Sequence, residues 1–488
     1  MNYRTVFHMV GRLLQLEAAL LVLPAAVSLL YGEQSYLALL MAAAVAALLG
    51  TLFSLRRPKD QTIYAKEGFV IVSLSWVLLS LVGALPFVFS GEIPNYIDAV
   101  FETVSGFTTT GASIATTLGK MGEPLGMSHG ILFWRSFTHW IGGMGVLVLM
   151  MALLPTGSGR AIHVMRAEVP GPVVGKLVPR LRDTAKILYL LYLGLTVLQV
   201  VCLLLAKMPL FDSLVHTFGT AGTGGFGIYS TSIGEYNPAC QWIITVFMWL
   251  FGVNFNIYYL LLIRSFRGVL TNRELWAYFG IVVVSVALVT ANVLPLGEYA
   301  TFEETVRHGA FQVSSIITTT GYATTDFNLW PLFAKSILVM LMFIGACAGS
   351  TGGGLKVSRV MLVCKAVARE LKRLIHPRAV GVIRLEGKRV EEPVVQSALV
   401  YVALYFLLFG GAFLLLCLEP AFDLESNFTA VAACINNIGP GLGAVGPAGG
   451  YADYGVLSKI VLSLAMLLGR LEIYPLVLTL LPGTWTKR

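Results

Sequence analysis

Long apolar runs, separated by short polar connectors, fill most of this chain. The first two, Leu13–Leu30 and Tyr36–Leu55, predict a helical hairpin. After them one order occurs four times: a long apolar run, a short amphipathic segment, a Thr- or Gly-rich stretch and a second long apolar run. About ten runs approach the roughly 20 residues that a helix needs to cross a bilayer. The pattern therefore predicts an all-α polytopic membrane protein.

The same order divides the chain into five parts. We expect an N-terminal transmembrane hairpin at residues 1–60, followed by four helix–pore loop–helix repeats at residues 61–160, 161–270, 271–390 and 391–488. The third repeat also carries a Gly-rich loop and a basic cytoplasmic segment.

The Thr- or Gly-rich stretches occupy equivalent places in the four repeats. They are Thr109-Thr110-Gly111, Gly222-Thr223-Gly224, Thr319-Thr320-Gly321 and Asn437-Ile438-Gly439. Their glycines lie about 100 to 120 residues apart, which favours fourfold duplication. A Thr-Gly element between two membrane helices has the form of an ion selectivity filter, where backbone carbonyls replace the water shell of a cation. One copy alone would fit a surface turn, but four equivalent copies favour a filter.

Charge supports this topology. Only 12% of the 488 residues are charged against 56% hydrophobic, and the net charge is +8. The Lys and Arg residues cluster near residues 56–59, 160–186, 264–273 and 356–389, whereas the connectors beside the Thr-Gly stretches are acidic. The basic loops are therefore expected in the cytoplasm with both termini, and nucleic acid is not the expected partner. The six Cys residues are scattered, without the spacing of a metal site.

A Gly-rich segment interrupts the third repeat. Gly345–Gly354 contains five glycines in ten residues, and each glycine costs a helix up to about 1 kcal/mol relative to alanine. We expect a non-helical loop in the ion path beneath the filter, with a kinked helix as the alternative. The GK[ST] ending of a phosphate-binding loop is absent, because Gly354 is followed by Leu355-Lys356-Val357.

Three ionisable residues inside apolar runs are candidates for function. Arg470 lies within the last run, where a charge costs about 2.5 kcal/mol or more. It would either face the pore or connect two repeats through carbonyls or a carboxylate. Glu17 fits a functional carboxylate or a partner or headgroup contact equally well. His139 is more simply a satisfied core residue than a proton site. The basic run after Lys356 is a solvated face near lipid or a docking surface.

With these features in view, the chain resembles the Trk/Ktr/HKT superfamily of potassium uptake proteins, and the extra hairpin is most similar to the TrkH type. The resemblance rests on KEGF, FETVSGFTTTGAS, FWRSFTHWIGGMG, GVNFNIYY, GSTGGGLK, NNIGPGLG and MLLGRLEIYP. Two positions depart from the expected pattern: His139 stands in place of Gln, and the second filter reads AGTGGFG.

The resemblance implies four units in pseudo-fourfold arrangement around one pore, with the carbonyls of the four stretches binding K+. It also implies that Arg470 and the loop obstruct the path below; the loop residues concerned are Gly345, Gly349, Gly352, Gly353, Gly354 and Lys356. It further implies a homodimer in lipid of the bacterial inner membrane, with a cytosolic TrkA-type RCK subunit that binds NAD or ATP. This chain would carry no nucleotide site of its own.

The sequence leaves three alternative functions to compare with potassium uptake. A sodium-coupled Ktr-type potassium/sodium translocator is the nearest, but such proteins usually lack the hairpin at Leu13–Leu55. A membrane enzyme would need converging acid, base or nucleophile residues, and the sequence offers no such set. A structural or receptor scaffold would not need four Thr-Gly elements.

Overall fold

The computed structural model describes residues 1–56, 64–115, 125–145, 148, 181–378, 381–385 and 388–485. This part is mainly helical, which confirms the predicted class. Its one sheet is a short antiparallel pair, β1 (Arg384–Leu385) with β2 (Lys388–Arg389). The basic loops predicted at residues 57–59 and 160–180, and most of the first return helix beyond residue 145, lie outside the described residues.

The N-terminal hairpin consists of α1 (Tyr3–Leu30) and α2 (Ser35–Ser54). The first helix begins well before the apolar run because the Asn2 side chain accepts a hydrogen bond from the Thr5 amide and caps it. The two helices meet closely at Gly11 and Gly50: a Cβ on either glycine would lie 2.7 Å from the carbonyl oxygen of the other. Such small-residue contacts are typical of packed membrane helices.

The next two units contain nine helices in the described part of the chain. They are α3 (Ala65–Gly83), α4 (Leu85–Ser90), α5 (Tyr96–Phe107) and α6 (His129–Gly143), then α7 (Leu181–Leu205), α8 (Leu210–Gly222), α9 (Pro238–Gly252), α10 (Phe255–Leu262) and α11 (Phe266–Leu270). α1 packs against both α3 and α6, so the hairpin lies against the first unit.

The third and fourth units follow the same order. The third has α12 (Arg273–Val293), α13 (Phe302–Ile317), α14 (Leu332–Ile344) and α15 (Val357–Ile375). The fourth has α16 (Glu392–Leu416), α17 (Leu424–Ile435), α18 (Val456–Arg470), α19 (Tyr474–Leu480) and α20 (Pro482–Trp485). Single 3-10 turns occur at Leu294–Leu296, Phe327–Leu329 and Gly443–Val445.

One short helix in each unit ends inside the protein. These pore helices, α5, α8, α13 and α17, have 12, 13, 16 and 12 residues, too few to cross a bilayer. Asn95, Thr301 and Asp423 cap three of them by accepting backbone N–H groups. The residues that follow the four helices are buried. The chain therefore enters the core, turns, and leaves again.

The return helices are broken, which corrects the prediction of single runs over Trp242–Ile263 and Val456–Leu481. α9 and α10 meet at an 89° bend, because the Asn254 side chain caps a new helix by accepting the Asn256 amide. α18 and α19 are separated where Glu472 and Ile473 take left-handed backbone angles. As a result, six of the described helices are long and apolar enough to cross a membrane, or seven if the bent pair is one span.

Candidate functional site

The four stretches that follow the pore helices share one backbone geometry. Each begins with a non-glycine residue in the left-handed region, at Thr109, Thr223, Thr319 and Asn437, with φ of +55°, +57°, +58° and +56°. In every copy this residue donates its N–H to the carbonyl three residues earlier, and the next residue donates to the carbonyl five residues before it. Such angles are uncommon outside glycine. Their occurrence at four equivalent positions therefore indicates that the four stretches share one structural motif.

Two residues further on, each stretch has a left-handed glycine. These are Gly111, Gly225, Gly321 and Gly439, with φ between +75° and +96°. The predicted equivalence of Gly224 with the other three glycines is therefore wrong by one residue, and the second stretch is Thr223–Gly225 rather than Gly222–Gly224. The sequence offers two adjacent glycines there, while α8 continues as far as Gly222. We call the four corrected triplets the filter segments.

The filter segments contact one another in a closed cycle. A Cβ added to Gly111 would lie 1.9 Å from the carbonyl oxygen of Gly224, and one on Gly225 would lie 2.0 Å from that of Thr320. The cycle continues from Gly321 to the carbonyl oxygen of Ile438, at 1.9 Å. It closes from Gly439 to the carbonyl oxygen of Thr110, at 2.7 Å. Each glycine thus allows the carbonyl of the next segment to approach as no other residue could.

This cycle of segments forms the floor of one cavity. The cavity has a volume of about 70 Å³, and all four left-handed glycines line it. Arg135 and Tyr451 also line the cavity. The side chains at the first two positions of each segment are inaccessible to solvent. Gly224 is the exception, because it has no side chain. The four segments therefore form a ring whose left-handed glycines line this cavity.

Side chains behind the ring connect neighbouring segments. The Asn437 amide donates to the Thr110 hydroxyl, with 2.9 Å between nitrogen and oxygen. The Thr110 hydroxyl also lies 2.8 Å from that of Thr108. Tyr451 donates its hydroxyl to the carbonyl of Gly439 at 2.6 Å. Of these bonds, the one from Asn437 to Thr110 connects the fourth segment with the first, and the other two each lie within one unit.

A buried ion pair supports the first segment, and sequence reasoning missed it. Arg135 Nε lies 2.6 Å from Glu102 Oε1, and both side chains are almost fully buried. The same guanidinium donates to the Ser113 hydroxyl at 2.9 Å and to the Gly227 carbonyl at 3.1 Å. The network therefore connects the first unit with the second. The available signal was one charge in each of two apolar stretches.

His139 lies directly behind the second filter segment. A Cβ on Gly224 would lie 2.3 Å from Cγ of His139, so the imidazole occupies the space that a side chain at position 224 would fill. The ring stacks on Phe226, with 4.1 Å between the ring centres. Neither ring nitrogen has a hydrogen-bond partner among the described residues. The prediction of a satisfied core histidine is therefore wrong: His139 is a core residue, but its nitrogens are unsatisfied.

Glu17 is also buried, in the middle of α1 rather than at its start. Neither carboxylate oxygen has a hydrogen-bond partner in the described part of the chain. Glu17 is 2% exposed, and its carboxyl faces a small apolar cavity that Phe107 and Trp134 also line. The carboxyl does not reach the filter segments.

The Gly-rich segment is a non-helical loop, as predicted, and covers residues 345–356 between α14 and α15. It lies directly against two filter segments. The amide of Gly353 donates to the Thr319 hydroxyl, with 2.6 Å between nitrogen and oxygen. A Cβ on Gly353 would lie 2.3 Å from the carbonyl oxygen of Asn436. We call residues 345–356 the glycine-rich loop.

Arg470 lies at the end of α18 and donates to backbone carbonyls of two other units. One guanidinium nitrogen lies 2.9 Å from the carbonyl oxygen of Thr351 in the glycine-rich loop. The other donates to the carbonyls of Gly142 and Gly143 at the end of α6, at 2.7 Å for Gly143. Two hypotheses were available for Arg470: it faces the pore, or it connects repeats through carbonyls or a carboxylate. Its contacts agree with the connection through carbonyls. These contacts also bring it against the loop.

Two further charged residues hold the glycine-rich loop. Lys356 has a left-handed φ of +68°, and its ammonium group donates to the Gly352 carbonyl. Glu274, at the start of α12, accepts the amides of Ala348 at 2.7 Å and Ser358 at 3.1 Å. One carboxylate thus accepts hydrogen bonds from the backbone on both sides of the loop. Sequence reasoning missed Glu274, since nothing near it in sequence marks it as a partner of residues 74 and 84 positions away.

Comparison with known proteins identifies the family to which this architecture is similar. The sequence model of the TrkH family, described as a cation transport protein, matches residues 38–483. The chain is 38% identical to the Trk system potassium uptake protein TrkH of Salmonella typhimurium and 37% identical to that of Escherichia coli K12, each over the full length of both chains. It is also similar to the crystal structure of the potassium transporter TrkH from Vibrio parahaemolyticus, with a TM-score of 0.88, 36% identity and full coverage of both chains. These relatives are transporters, as expected, and not enzymes.

Proposed function

Because this chain belongs to the TrkH family of cation transport proteins, we propose that it takes up potassium ions through the ring of filter segments. The chain is a multi-pass membrane protein of this family, and its relatives are named as potassium uptake proteins. The observation that carries the proposal is the closed cycle of contacts, in which each left-handed glycine packs on the carbonyl of the next segment. A dehydrated cation needs such a ring of oxygens.

The ion ligands in this proposal are backbone carbonyls of the filter segments. They belong to Thr109–Gly111, Thr223–Gly225, Thr319–Gly321 and Asn437–Gly439. Gly222 is left out, because it is the last residue of α8. The segments come from one chain, and the pore would have pseudo-fourfold rather than exact symmetry.

We further propose that the glycine-rich loop and Arg470 form one gate on the inner side of the ring. The loop touches the buried face of the third and fourth segments through Gly352 and Gly353. Arg470 donates to the loop at Thr351. A cation that left the ring on this side would meet both the loop backbone and a positive charge. At about 5 Å and an effective dielectric constant near 20, that charge would oppose it by about 3 kcal/mol.

The proposed regulator is a cytosolic TrkA-type RCK subunit that binds NAD or ATP, with the transporter as a homodimer in the bacterial inner membrane and both termini in the cytoplasm. Support comes from α15, which leaves the glycine-rich loop and carries exposed Lys372 and Arg373. Arg369 on the same helix forms a two-bond pair with Glu392, at 2.7 and 2.8 Å. Movement of α15 would therefore reach both the loop and α16.

Ion flux into liposomes tests the proposed function. We expect the purified protein to carry K+ down its gradient at least about tenfold faster than Na+, because the carbonyl ring would be matched to the larger ion. The matched control is the same protein with Gly111 replaced by serine in an otherwise identical preparation. Equal K+ and Na+ flux in the unmodified protein, or flux that needs a sodium gradient, would overturn the proposal.

A further inference from the structure

The first residue of each filter segment has a different side-chain partner. Thr319 accepts the Gly353 amide of the glycine-rich loop at 2.6 Å. Thr223 donates to the carbonyl of Gly222, the last residue of α8, and the Asn437 amide donates to Thr110 of the neighbouring segment. The hydroxyl oxygen of Thr109 has no hydrogen-bond partner among the described residues. The backbone is equivalent in all four, so the difference lies in the side chains alone.

Thr319 is bonded to the tip of the loop, whereas Glu274 is bonded to its base. The base is fixed because one carboxylate accepts the amides of Ala348 and Ser358, which lie on either side of the tip. At the tip, the Gly353 amide is buried and Thr319 is its partner. Displacement of the tip would therefore break the bond to Thr319, while the bonds to Glu274 could remain.

We propose that the Thr319 hydroxyl holds the glycine-rich loop against the filter, so that one side chain belongs both to the ion path and to the gate. This inference rests on the proposed function of the ring and the loop. Opening would release the Gly353 amide and leave the Thr319 oxygen free to face the path. The third filter segment would thus change its bonding when the gate opens, and the first would not.

The chemistry of this bond favours a restraint over an incidental contact. An amide that is buried without a partner is costly, so removal of the acceptor destabilises the position in which the amide is buried. Thr319 is fully buried, and no water could replace the lost acceptor without a local opening. The glycines at the tip pack on carbonyls of Thr318 and Asn436, and these contacts would remain in a variant that lacks only the hydroxyl.

Hydrogen–deuterium exchange of the full-length protein in lipid nanodiscs tests the inference directly. Thr319→Val removes the acceptor and keeps the branched shape. We expect amides in the loop peptide spanning residues 345–356 to exchange about tenfold faster, the change expected for the loss of one buried hydrogen bond. Thr109→Val is the matched control: the same substitution in the same backbone conformation, at a hydroxyl without a partner. It should leave exchange in the loop unchanged, and Thr319→Ser should restore the slow rate.

Potassium flux separates this inference from the proposed function. Thr319→Val should raise flux in the absence of any regulator relative to Thr109→Val, since both lose one hydroxyl from the path but one also loses the loop contact. Faster exchange in Thr319→Val without selective potassium flux in the unmodified protein would overturn the proposed function and leave the loop contact standing. Equal exchange in the two valine variants would overturn the inference, whatever the flux. If either valine variant fails to fold, the alanine pair at the same positions gives the same comparison.

Discussion

The ring of filter segments and the glycine-rich loop are both buried, rich in glycine and free of regular helix, yet they are held in different ways. In the ring, backbone packs on backbone: each left-handed glycine faces the carbonyl of the next segment, at a distance that leaves no room for a Cβ. The loop also packs on the carbonyls of Thr318 and Asn436, but in addition side chains from outside the loop donate to or accept from its backbone. These side chains are chiefly Thr319, Arg470 and Glu274.

The comparison shows how two segments that are both rich in glycine can differ in how easily they move. A ring closed by steric contact cannot open at one glycine without displacing the next segment, because packed backbones are not continuously deformable. A loop held by a few side-chain bonds can exchange them one at a time, each at a cost of about 1 kcal/mol. We therefore expect substitutions in the ring to change selectivity and substitutions around the loop to change the basal rate.

The largest effect is expected from a side chain inside the ring. Gly321→Ser places a Cβ 1.9 Å from the carbonyl oxygen of Ile438 and adds strain at a left-handed φ of +82°. The fourth segment must move, so we expect the preference for K+ over Na+ to fall by about 100-fold or to be lost. Competitive K+ and Na+ flux in liposomes measures it.

Gly91 provides the matched control for Gly321→Ser. It also has a left-handed φ, of +76°, but a Cβ there would meet nothing within 4 Å. Gly91→Ser therefore carries similar backbone strain without the collision, and it should keep the potassium preference. If both variants lose selectivity equally, strain rather than ring contact would explain the effect, and the contrast between ring and loop would fail.

A smaller effect, on rate and not on selectivity, is expected at the loop. Arg470→Ala removes a charge and the donor to the Thr351 carbonyl. We expect basal K+ flux to rise by up to about 100-fold with unchanged preference over Na+, since about 3 kcal/mol of repulsion corresponds to that factor. Flux in liposomes without a regulator is the measurement.

A double variant sharpens this expectation. A short deletion within Gly349–Gly353 should also raise basal flux, and the two changes together should give less than the product of their separate effects, because both relieve one barrier. Unchanged flux in Arg470→Ala would show that its bonds to Gly142 and Gly143 have only a structural role. The gate would then consist of the loop alone.

The smallest effect is expected outside both regions, where the N-terminal hairpin meets the first unit. Burial raises the pKa of Glu33, but hydrogen bonds from the His129 amide and ring and from the Gly130 amide outweigh it and lower that pKa below the usual value. A lowered pKa stabilises the fold above the unfolded value, near 4.3, and this contribution is lost as the pH falls through the folded value. Because the Glu33 side chain is only half-buried and solvent screens its interactions, we expect less than about 1 kcal/mol.

Thermal unfolding at pH 3 to 7 measures this contribution. The unmodified protein should lose slightly more stability between pH 5 and pH 3 than Glu33→Gln, which cannot titrate at this position. Selectivity and basal flux at pH 7 should be the same in both proteins. A change in either would show that the hairpin acts on the ring or the loop, which their separate contacts do not predict.

The sequence predicted the helical class, the order of the elements and the non-helical loop, because each depends on local composition. Apolar length marks the helices, and five glycines within Gly345–Gly354 prevent a regular helix whatever surrounds them. The register of the second segment was predicted wrongly, because Gly224 and Gly225 are locally interchangeable. In the structure Gly225 takes the left-handed angle and packs on the Thr320 carbonyl of the third segment, a contact that the local sequence does not reveal.

The contacts of the charged residues could not be predicted for a similar reason. Arg359 pairs with Glu472, more than 100 positions away in sequence, and Glu274 reaches the loop from the start of α12. Helical periodicity gives the face on which such residues lie but not the element that faces them. The break after Arg470 was missed because two non-glycine residues, Glu472 and Ile473, take left-handed angles there.

Because one polypeptide forms the whole ring, one of its four segments can differ in sequence and contacts from the other three. In an assembly of four identical subunits, every change to the lining would appear four times, and a twelve-residue plug beneath the ring would be present in quadruplicate. Here residues 345–356 occur once and touch two of the four segments. If the loop gates the ring as proposed, the obstruction is supplied once, by one unit, and displacement of that single segment would suffice to clear the path.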